Sequence, residues 1–297
     1  MLPLIIEGMT DTTIAVLGLG AMGTAIARAA SRPGHRVLAW NRSPKSADDF
    51  TGIGLASSPG DCIVGADLVV ICVRDHQASR TVLDSIAEAG TDSVVVNVST
   101  GTPGEAVASA AHARDLGLRY VTGAVMVPTP MVGTEDSFVI YAGAESDLSE
   151  ITALFDALRG TSDVVGEDHG VPPALDLAML DIYFAGMYAH LHATALAAAH
   201  GVEPSRFLPY ARGIVDTLGA SLAGLTSSIE QRRYDGGEAR LDMCLSFLEH
   251  ITATSRASGI DPGLAEHVRA ASARALEHWP GSTDWDVVGE DFSSRTQ

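Results

Sequence analysis

One segment constrains the architecture of this chain more than any other. Residues 172–200 read PPALDLAMLDIYFAGMYAHLHATALAAAH and are followed by Gly201. Prolines at the start and a glycine just after the end are the start and stop signals of a helix. A helix of this length spans roughly 40 Å, which is longer than one small domain requires. We therefore predict an α/β domain over residues 1–168, an interdomain helix over residues 169–201 and an all-α domain over residues 202–297.

This predicted helix carries the first candidate for catalysis. Asp176 falls in its first predicted turn, on a strip continued at helical spacing by Tyr183, Phe184 and Met187. A carboxylate at the head of an aromatic and sulfur-containing strip favours an active site over a packing face. The alternative is an acid that only interacts with the helix dipole. We interpret Asp181, on a different face, as structural.

A glycine pattern near the start predicts a dinucleotide site. The apolar run of residues 13–17 leads into Gly18-Leu19-Gly20-Ala21-Met22-Gly23, and a helix is predicted over residues 21–31. A G-x-G-x-x-G between a strand and a helix is the Rossmann fingerprint. A plain glycine-rich turn is the alternative interpretation. The following strands, around residues 36–40, 67–73, 94–96, 120–127, 137–143 and 163–165, with a helix near residues 148–158, complete a doubly wound domain.

The loop after the second strand indicates which dinucleotide. It reads Asn41-Arg42-Ser43-Pro44-Lys45, where an NAD enzyme usually places an acidic residue on the ribose. Arginine suits the 2′-phosphate of NADP. Residues 28–45 hold five cations and no acid in a chain of net charge -18. We therefore predict NADPH as cofactor, held by Arg42 and Ser43 with Asn41 and Lys45. For Arg28 and Arg32 we expect only solvated charges.

The ends of later strands add further cofactor candidates. Ligands of open parallel sheets lie at the carboxyl ends of strands. This places six more residues near the cofactor: Cys72, Val73, Arg74, Asn97, Ser99 and Thr100. We expect Thr102 to cap the helix that starts near Pro103. Beyond Gly201 the pattern is helical throughout, with helices over residues 204–225, 241–257 and about 261–278 and a charged link over residues 227–237.

Composition excludes several classes of partner. The net charge of -18 argues against nucleic-acid and membrane-surface partners, which need a basic footprint. Three scattered cysteines fit reduced thiols in a cytoplasmic protein. We expect no signal peptide in the opening MLPLIIEGM, no membrane span, and no metal site, since His190 and His192 face apart on a helix.

In their order and spacing, several motifs together resemble the imine reductases, NADPH-dependent relatives of the β-hydroxyacid dehydrogenases. They are GLGAMG, WNRS, ICVRD, NVSTGTP, GAVMVP and the long helix, with YDGG and SRASGID further on. The resemblance implies a homodimer in which each active site lies between one Rossmann domain and the partner's helices. From their positions at a strand end and on the Asp176 strip, we predict that Met126, Val127, Tyr183, Phe184 and Met187 line the substrate pocket, with a role in the core as the alternative, and that Met243 and Phe247 close it. The resemblance also implies reduction of cyclic imines, with reductive amination and a tendency to R-selectivity.

Asp176 separates this chain from the β-hydroxyacid dehydrogenases. That family carries lysine where Asp176 stands, and the only lysine here is Lys45. A carboxylate would hold an iminium cation that a lysine would repel. The helix dipole favours the ionised acid, whereas burial against aromatic residues favours the protonated acid, a proton donor. The sequence leaves both roles open, together with two alternative functions: a dehydrogenase of hydroxy acids or aldehydes, and a noncatalytic NADP-binding dimer.

Overall fold

The computed structural model describes residues 12–235, 237 and 239–292. The expectation about a signal peptide concerns residues 1–9, and the YDGG segment includes Gly236, so both fall outside the described residues. The chain divides into two compact units, and the division falls between Asp181 and Ile182. The domain boundaries expected at residues 168 and 201 stay predictions.

The first unit is built on one eight-stranded sheet. Its strands are β1 (Thr12–Leu17), β2 (His35–Trp40), β3 (Ile53–Leu55), β4 (Leu68–Ile71), β5 (Val94–Asn97), β6 (Tyr120–Val125), β7 (Phe138–Ala142) and β8 (Thr161–Val164). The order along the sheet is β3-β2-β1-β4-β5-β6-β7-β8, and neighbours are parallel except β6 and β7. The predicted Rossmann-type α/β domain is confirmed.

Helices cover both faces of this sheet. They are α1 (Ala21–Ala30), α2 (Pro59–Ile63), α3 (His76–Ala89), α4 (Pro103–Asp115), α5 (Glu145–Leu148) and α6 (Thr152–Leu158). Strand β1 shows why its apolar run is continuous: Ile14 and Val16 pack with α1 and α6, whereas Ala15 and Leu17 pack with α2, α3 and α4. Successive side chains of a strand point to opposite faces, so a strand covered on both sides needs apolar residues throughout.

The start of α4 confirms the role expected for Thr102. Its hydroxyl accepts a hydrogen bond from Glu105 N at 3.3 Å, while Thr102 N donates to the Glu105 carboxylate at 2.8 Å. This reciprocal capping box satisfies two backbone donors that the first helical turn leaves without partners. Thr102 is therefore a helix cap.

The long helix α7 extends over Val171–Ala199. It begins in a turn in which Asp168 accepts hydrogen bonds from Gly170 N at its side chain and from Val171 N at its carbonyl. Pro172 and Pro173 fall in the first turn, where a missing N–H costs no intrahelical bond. Asp176 is consequently the sixth residue of the helix, and the expectation that it lies in the first turn is wrong.

The second unit is helical, as predicted. Besides its part of α7 it contains α8 (Pro204–Gln231), α9 (Leu241–Ala257), α10 (Gly263–Leu276) and a 3-10 helix at Trp285–Asp291. The link expected over residues 227–237 is wrong in its first part, because α8 continues to Gln231 and ends where Arg232 adopts a φ of 51°. A small buried cluster joins the last elements: Tyr234, Leu241, Ala271, Ala275, Val287 and Val288. Among the described helices, none is long and apolar enough to cross a membrane.

Candidate active site

The strand order opens a groove at the carboxyl ends of β1 and β4. The chain forms β1, β2 and β3 toward one edge and then returns to place β4 beside β1, which is the switch point where such sheets bind ligands. A cavity of about 430 Å³ lies there. Ten predicted cofactor residues line it: Gly18, Gly20, Met22, Gly23, Asn41, Arg42, Ser43, Cys72, Val73 and Arg74. Four lining residues were not anticipated: Trp40, Ala78, Thr81 and Val82.

The three glycines of the fingerprint are required for different reasons. Gly18 has a φ of +108°, and a Cβ there would overlap the Cys72 carbonyl of β4's end. A Cβ at Gly23 would overlap the Gly18 carbonyl, so this glycine lets α1 pack on the turn. Gly20 differs, because a Cβ there would meet no protein atom within 4 Å. Its missing side chain leaves a concave space at the N-terminus of α1.

This space fits the pyrophosphate of a dinucleotide. Gly20 is the N-cap of α1, whose first residues are Ala21, Met22 and Gly23. The N-terminus of a helix presents unpaired N–H groups and a partial positive charge to an anion. A side chain at Gly20 would occupy the open space through which an anion reaches the N-terminus of α1. The residues present therefore fit the predicted cofactor.

Asn41 braces the glycine turn against the loop after β2. Its Oδ1 accepts a hydrogen bond from Leu19 N at 2.8 Å, and its Nδ2 donates to the Ser43 carbonyl at 2.7 Å. Both polar groups of the amide are therefore engaged with the backbone. Asn41 lines the groove, but its amide fixes the loop that presents Arg42.

Arg42 is exposed at the groove, and among the residues that the structure describes no carboxylate forms an ion pair with it. Arg28 and Arg32 instead donate to the carbonyls of Asp49 and Asp156, at 3.2 and 2.6 Å. An unpaired guanidinium beside a hydroxyl suits a phosphate monoester. The contrast supports the different roles expected for these arginines.

A second, smaller pocket of about 40 Å³ adjoins the groove at Met22, which lines both. The remaining lining residues come from the loop after β5, from β6 and from α7: Val98, Ser99, Thr100, Gly101, Thr122, Gly123, Ala124, Val125, Pro173 and Asp176. Asp176 is the only charged residue among these lining residues, all of which are described. The structure thus brings Asp176 together with Ser99, Thr100 and Met22.

Burial raises the pKa of Asp176 above its ordinary value. The helix dipole acts mainly within the first turn, and Asp176 lies in the second turn of α7. Desolvation disfavours the charged carboxylate relative to that of a fully solvated aspartate. Of the two effects that the sequence left open, burial is therefore the larger.

Other predicted cofactor residues line neither cavity, although all are described. Leu19 is buried beneath the turn, while Ala21 and Lys45 are exposed. Asn97 is fully buried beneath the site, where its Nδ2 donates to the Tyr120 hydroxyl at 2.9 Å and its Oδ1 accepts from Ser99 N at 3.0 Å. Asn97 therefore acts on the loop and not at the surface of either cavity.

One partly buried hydrogen bond links a residue of the groove to a residue of the small pocket. Ser99 Oγ accepts a hydrogen bond from Val73 N at 3.1 Å, across from β5 to β4. Cys72 next to it has a thiol whose pKa burial raises to about 12, so the thiol stays protonated. These contacts hold the two strand ends that form the groove.

None of the seven residues expected to line the substrate pocket lines the small pocket, although all seven are described. Met126 and Val127 follow β6 and are half-buried. Five belong to the second unit and are exposed in the single chain: Tyr183, Phe184, Met187, Met243 and Phe247. Their role as substrate contacts stays a prediction.

Several groups outside these cavities have structural partners. His190 stacks on Phe207 with ring centroids 6.4 Å apart, and His192 Nε2 lies 3.4 Å from Ser255 Oγ. In the described part of the chain no group of three or more His, Cys, Asp or Glu side chains is arranged to hold a metal ion.

Two family models together match nearly the whole chain. Residues 13–166 match the NAD binding domain of 6-phosphogluconate dehydrogenase. Residues 168–294 match the C-terminal domain of the NADPH-dependent reductive aminase-like proteins. Fold and site thus define a dinucleotide-dependent oxidoreductase of the 6-phosphogluconate dehydrogenase type.

Similar proteins narrow this class. The NADPH-dependent reductive aminase of Aspergillus oryzae is 27% identical over 94% of this chain and 96% of its own length. An imine reductase of Streptomyces aurantiacus superposes with a TM-score of 0.89, at 29% identity over 95% of this chain and all of that one. The reductive aminase of Aspergillus terreus, in complex with NADPH4, cyclohexanone and allyl amine, superposes with a TM-score of 0.86. Its identity is 28% over 96% of this chain and 99% of that one. The chain belongs to the family of NADPH-dependent imine reductases and reductive aminases.

Proposed function

We propose that this enzyme reduces the C=N bond of cyclic imines with NADPH, and that Asp176 is its catalytic acid. The observation that carries the proposal is a single carboxyl group with a raised pKa, in a pocket that shares Met22 with the cofactor groove. The complex of the Aspergillus terreus relative with a ketone and an amine supports reductive amination as a second activity.

The chemistry follows from the state of Asp176. NADPH, held by the glycine turn, Arg42 and Ser43, supplies the hydride when bound. The protonated Asp176 donates its proton to the imine nitrogen, and the resulting carboxylate pairs with the iminium cation. Protonation makes the C=N carbon more electrophilic, and the charge-assisted pair stabilises the iminium cation next to the hydride donor. Transfer of one hydride to that carbon then yields the neutral amine.

The lysine content favours this reaction over the oxidation of hydroxy acids. Lys45 is the only lysine in the chain, and it is exposed on the loop after β2. No lysine therefore stands at the Asp176 position or elsewhere in the small pocket. A dehydrogenase that uses a lysine as its acid–base group would have no such group here.

Oxidation of NADPH with 1-pyrroline or a six-membered cyclic imine tests the proposal. We expect Asp176→Ala to lower kcat by about 10²- to 10⁴-fold, the usual contribution of a general acid. Asp181→Asn is the matched control, because Asp181 is an exposed acid on the same helix. Turnover of hydroxy acids but of no imine would replace the proposal with a hydroxyacid dehydrogenase, and NADPH binding without any turnover would favour a noncatalytic protein.

We also propose a homodimer as the working form. The second unit exposes many large apolar side chains on α7, α8 and α9, including Ile182, Leu191, Tyr210, Ile214 and Phe247, each at least 56% exposed. Apolar surface of this extent is rare on a monomer and is typical of an interface. A second copy would also supply the apolar wall that the 40 Å³ pocket does not have within the first unit.

Molar mass by light scattering tests this assembly. We expect twice the chain mass of 30.9 kDa for the wild type and for Val107→Glu, a substitution at an exposed apolar residue of the first unit. Leu191→Glu together with Ile214→Glu should shift the mass to that of one chain. A wild-type protein that elutes as a single chain at micromolar concentration would contradict the proposal.

We place the enzyme in the cytoplasm, because the three cysteines, all of them described, form no disulfide. Fractionation of cells that express it tests this location.

A further inference from the structure

His169 occupies the turn between β8 and α7, two residues before the helix begins. Its Nδ1 lies 3.0 Å from the hydroxyl oxygen of Thr122 on β6. Its ring also contacts the Tyr120 ring, with centroids 5.6 Å apart. Thr122 and Tyr120 are only 2% and 6% exposed. The half-buried His169 thus forms a polar anchor of the α7 start on two buried residues of β6.

The position of this anchor matters because the backbone hydrogen bonds described at the start of α7 stay within that segment. Pro172 and Pro173 have no N–H, and the other two residues of the first turn, Val171 and Ala174, donate only to carbonyls of the turn just before the helix, those of Asp168 and Gly170. The bond between His169 and Thr122 is made instead to β6 of the sheet. It therefore fixes the helix start against the strand that lines the small pocket.

Because a helix is stiff, the position of its first residues also determines the positions of the residues one or two turns further on. Asp176 lies five residues beyond Val171, about 7.5 Å along α7 at 1.5 Å per residue. A shift of the helix start against β6 displaces the Asp176 carboxyl by a similar amount. Thr122 and Asp176 line the same pocket, so the displacement would occur where the reacting group is held.

The same strand also supports the loop after β5, which lines the small pocket. Tyr120, beneath the His169 ring, accepts from Asn97, and Asn97 in turn holds the backbone of Ser99. The anchor of α7 and the support of the loop after β5 therefore meet on β6. Tyr120 and Thr122, two residues apart on β6, hold the loop after β5 and the start of α7 respectively.

We infer that His169 is a positioning residue, which through Thr122 holds Asp176 in place relative to the loop after β5. This inference rests on the proposed function of Asp176. His169 touches neither cavity and takes no part in the proton transfer.

The test compares His169→Ala with His169→Asn, which keeps a polar atom near the position of Nδ1. His112→Asn is the matched control, because His112 is a histidine on α4 that pairs with Asp84 away from the site. We expect His169→Ala to lower kcat for imine reduction about 10- to 100-fold, the effect of a displacement near 1 Å, with the Kd for NADPH changed less than twofold. His169→Asn should recover most of the loss, and His112→Asn should match the wild type.

Two results would overturn the inference while the proposed function stands. One is a wild-type kcat in His169→Ala; the other is a loss of activity that only follows a loss of folded protein in thermal unfolding. A readout independent of turnover is the titration of Asp176 by carboxyl ¹³C NMR, assigned by difference from Asp176→Asn. We expect the pKa of Asp176 to fall toward its ordinary value in His169→Ala, because the displaced carboxyl becomes hydrated. An unchanged titration refutes the inference even if the wild type reduces no imine.

Discussion

Gly18 and Gly20 stand two residues apart in one turn, yet alanine should affect them in opposite ways. Gly20 has φ -69° and ψ -174°, which any residue adopts, and no atom within 4 Å of an added Cβ. Alanine leaves the unfolded chain fewer conformations than glycine does, which should stabilise Gly20→Ala by about 0.4–1 kcal/mol. A less favourable N-cap should cost a similar amount. The free energy of unfolding should therefore stay within about 1 kcal/mol of the wild type.

Gly18→Ala should be strongly destabilising. A left-handed backbone costs a residue with a Cβ about 1–2 kcal/mol, and the φ of Gly18 is +108°. The added Cβ would also overlap the Cys72 carbonyl and lie 2.9 Å from Val73 Cγ1. Overpacking of this kind costs about 1–3 kcal/mol more. We expect a total loss of roughly 2–5 kcal/mol in the free energy of unfolding.

Urea unfolding and NADPH titration separate the two effects, and Trp40 in the groove provides a fluorescence reporter. Gly20→Ala should raise the Kd for NADPH at least about tenfold, or 1.4 kcal/mol, because its Cβ fills the space meant for the pyrophosphate. Gly104→Ala on α4, where a Cβ also meets open space, is the control and should bind normally. Normal NADPH binding by Gly20→Ala, or normal stability of Gly18→Ala, would refute the reasoning.

Three further predictions concern charge and capping. Arg42→Ala should raise the KM for NADPH about 10- to 100-fold, the loss of one charge-assisted hydrogen bond, and leave the KM for NADH almost unchanged; equal effects in steady-state kinetics would exclude a 2′-phosphate contact. Since the pKa of Asp176 is raised in the folded state, its contribution to stability is fully present below the unfolded pKa and is lost as pH rises through the folded pKa. Asp176→Asn should therefore melt higher than the wild type at pH 7 but not at pH 3, and a lower melting temperature at pH 7 would contradict the burial argument. Thr102→Ala removes the side-chain cap of α4 and should lower the free energy of unfolding in urea by about 1 kcal/mol. An unchanged free energy of unfolding would show that Glu105 alone caps the helix.

The sequence predicted those parts of the fold in which local pattern and tertiary packing agree. The apolar run before Gly18 became β1 because both faces of that strand are covered. Strand β3 was not anticipated, since of its three residues only Ile53 is buried and Gly54 weakens any strand pattern. The end of α8 was predicted too early, because polar residues such as Ser227 and Ser228 continue an exposed helix without any apolar period.

The sequence predicted the site residues that follow the carboxyl ends of parallel strands, where such sheets bind ligands. Ser99 and Arg74 are at such ends and line the cavities. Thr122 was missed, because it is the third of the six residues of β6 and the strand-end rule does not reach it. Its partner His169 is 47 residues away, and only the tertiary fold brings the two together. The state of Asp176 also required the structure, because the balance of dipole and burial depends on where α7 begins.

The exposed position of Lys45 bears on how this enzyme can be attached to a support. Resins and crosslinkers that react with side-chain amines have a single target here, two residues beyond Ser43 at the mouth of the groove. Molecules coupled through that amine would have the loop that contributes Arg42 and Ser43 to the groove next to the solid phase. Carboxyl-directed coupling, with 37 aspartate and glutamate residues available, would spread the attachment points and leave the entrance open on most molecules.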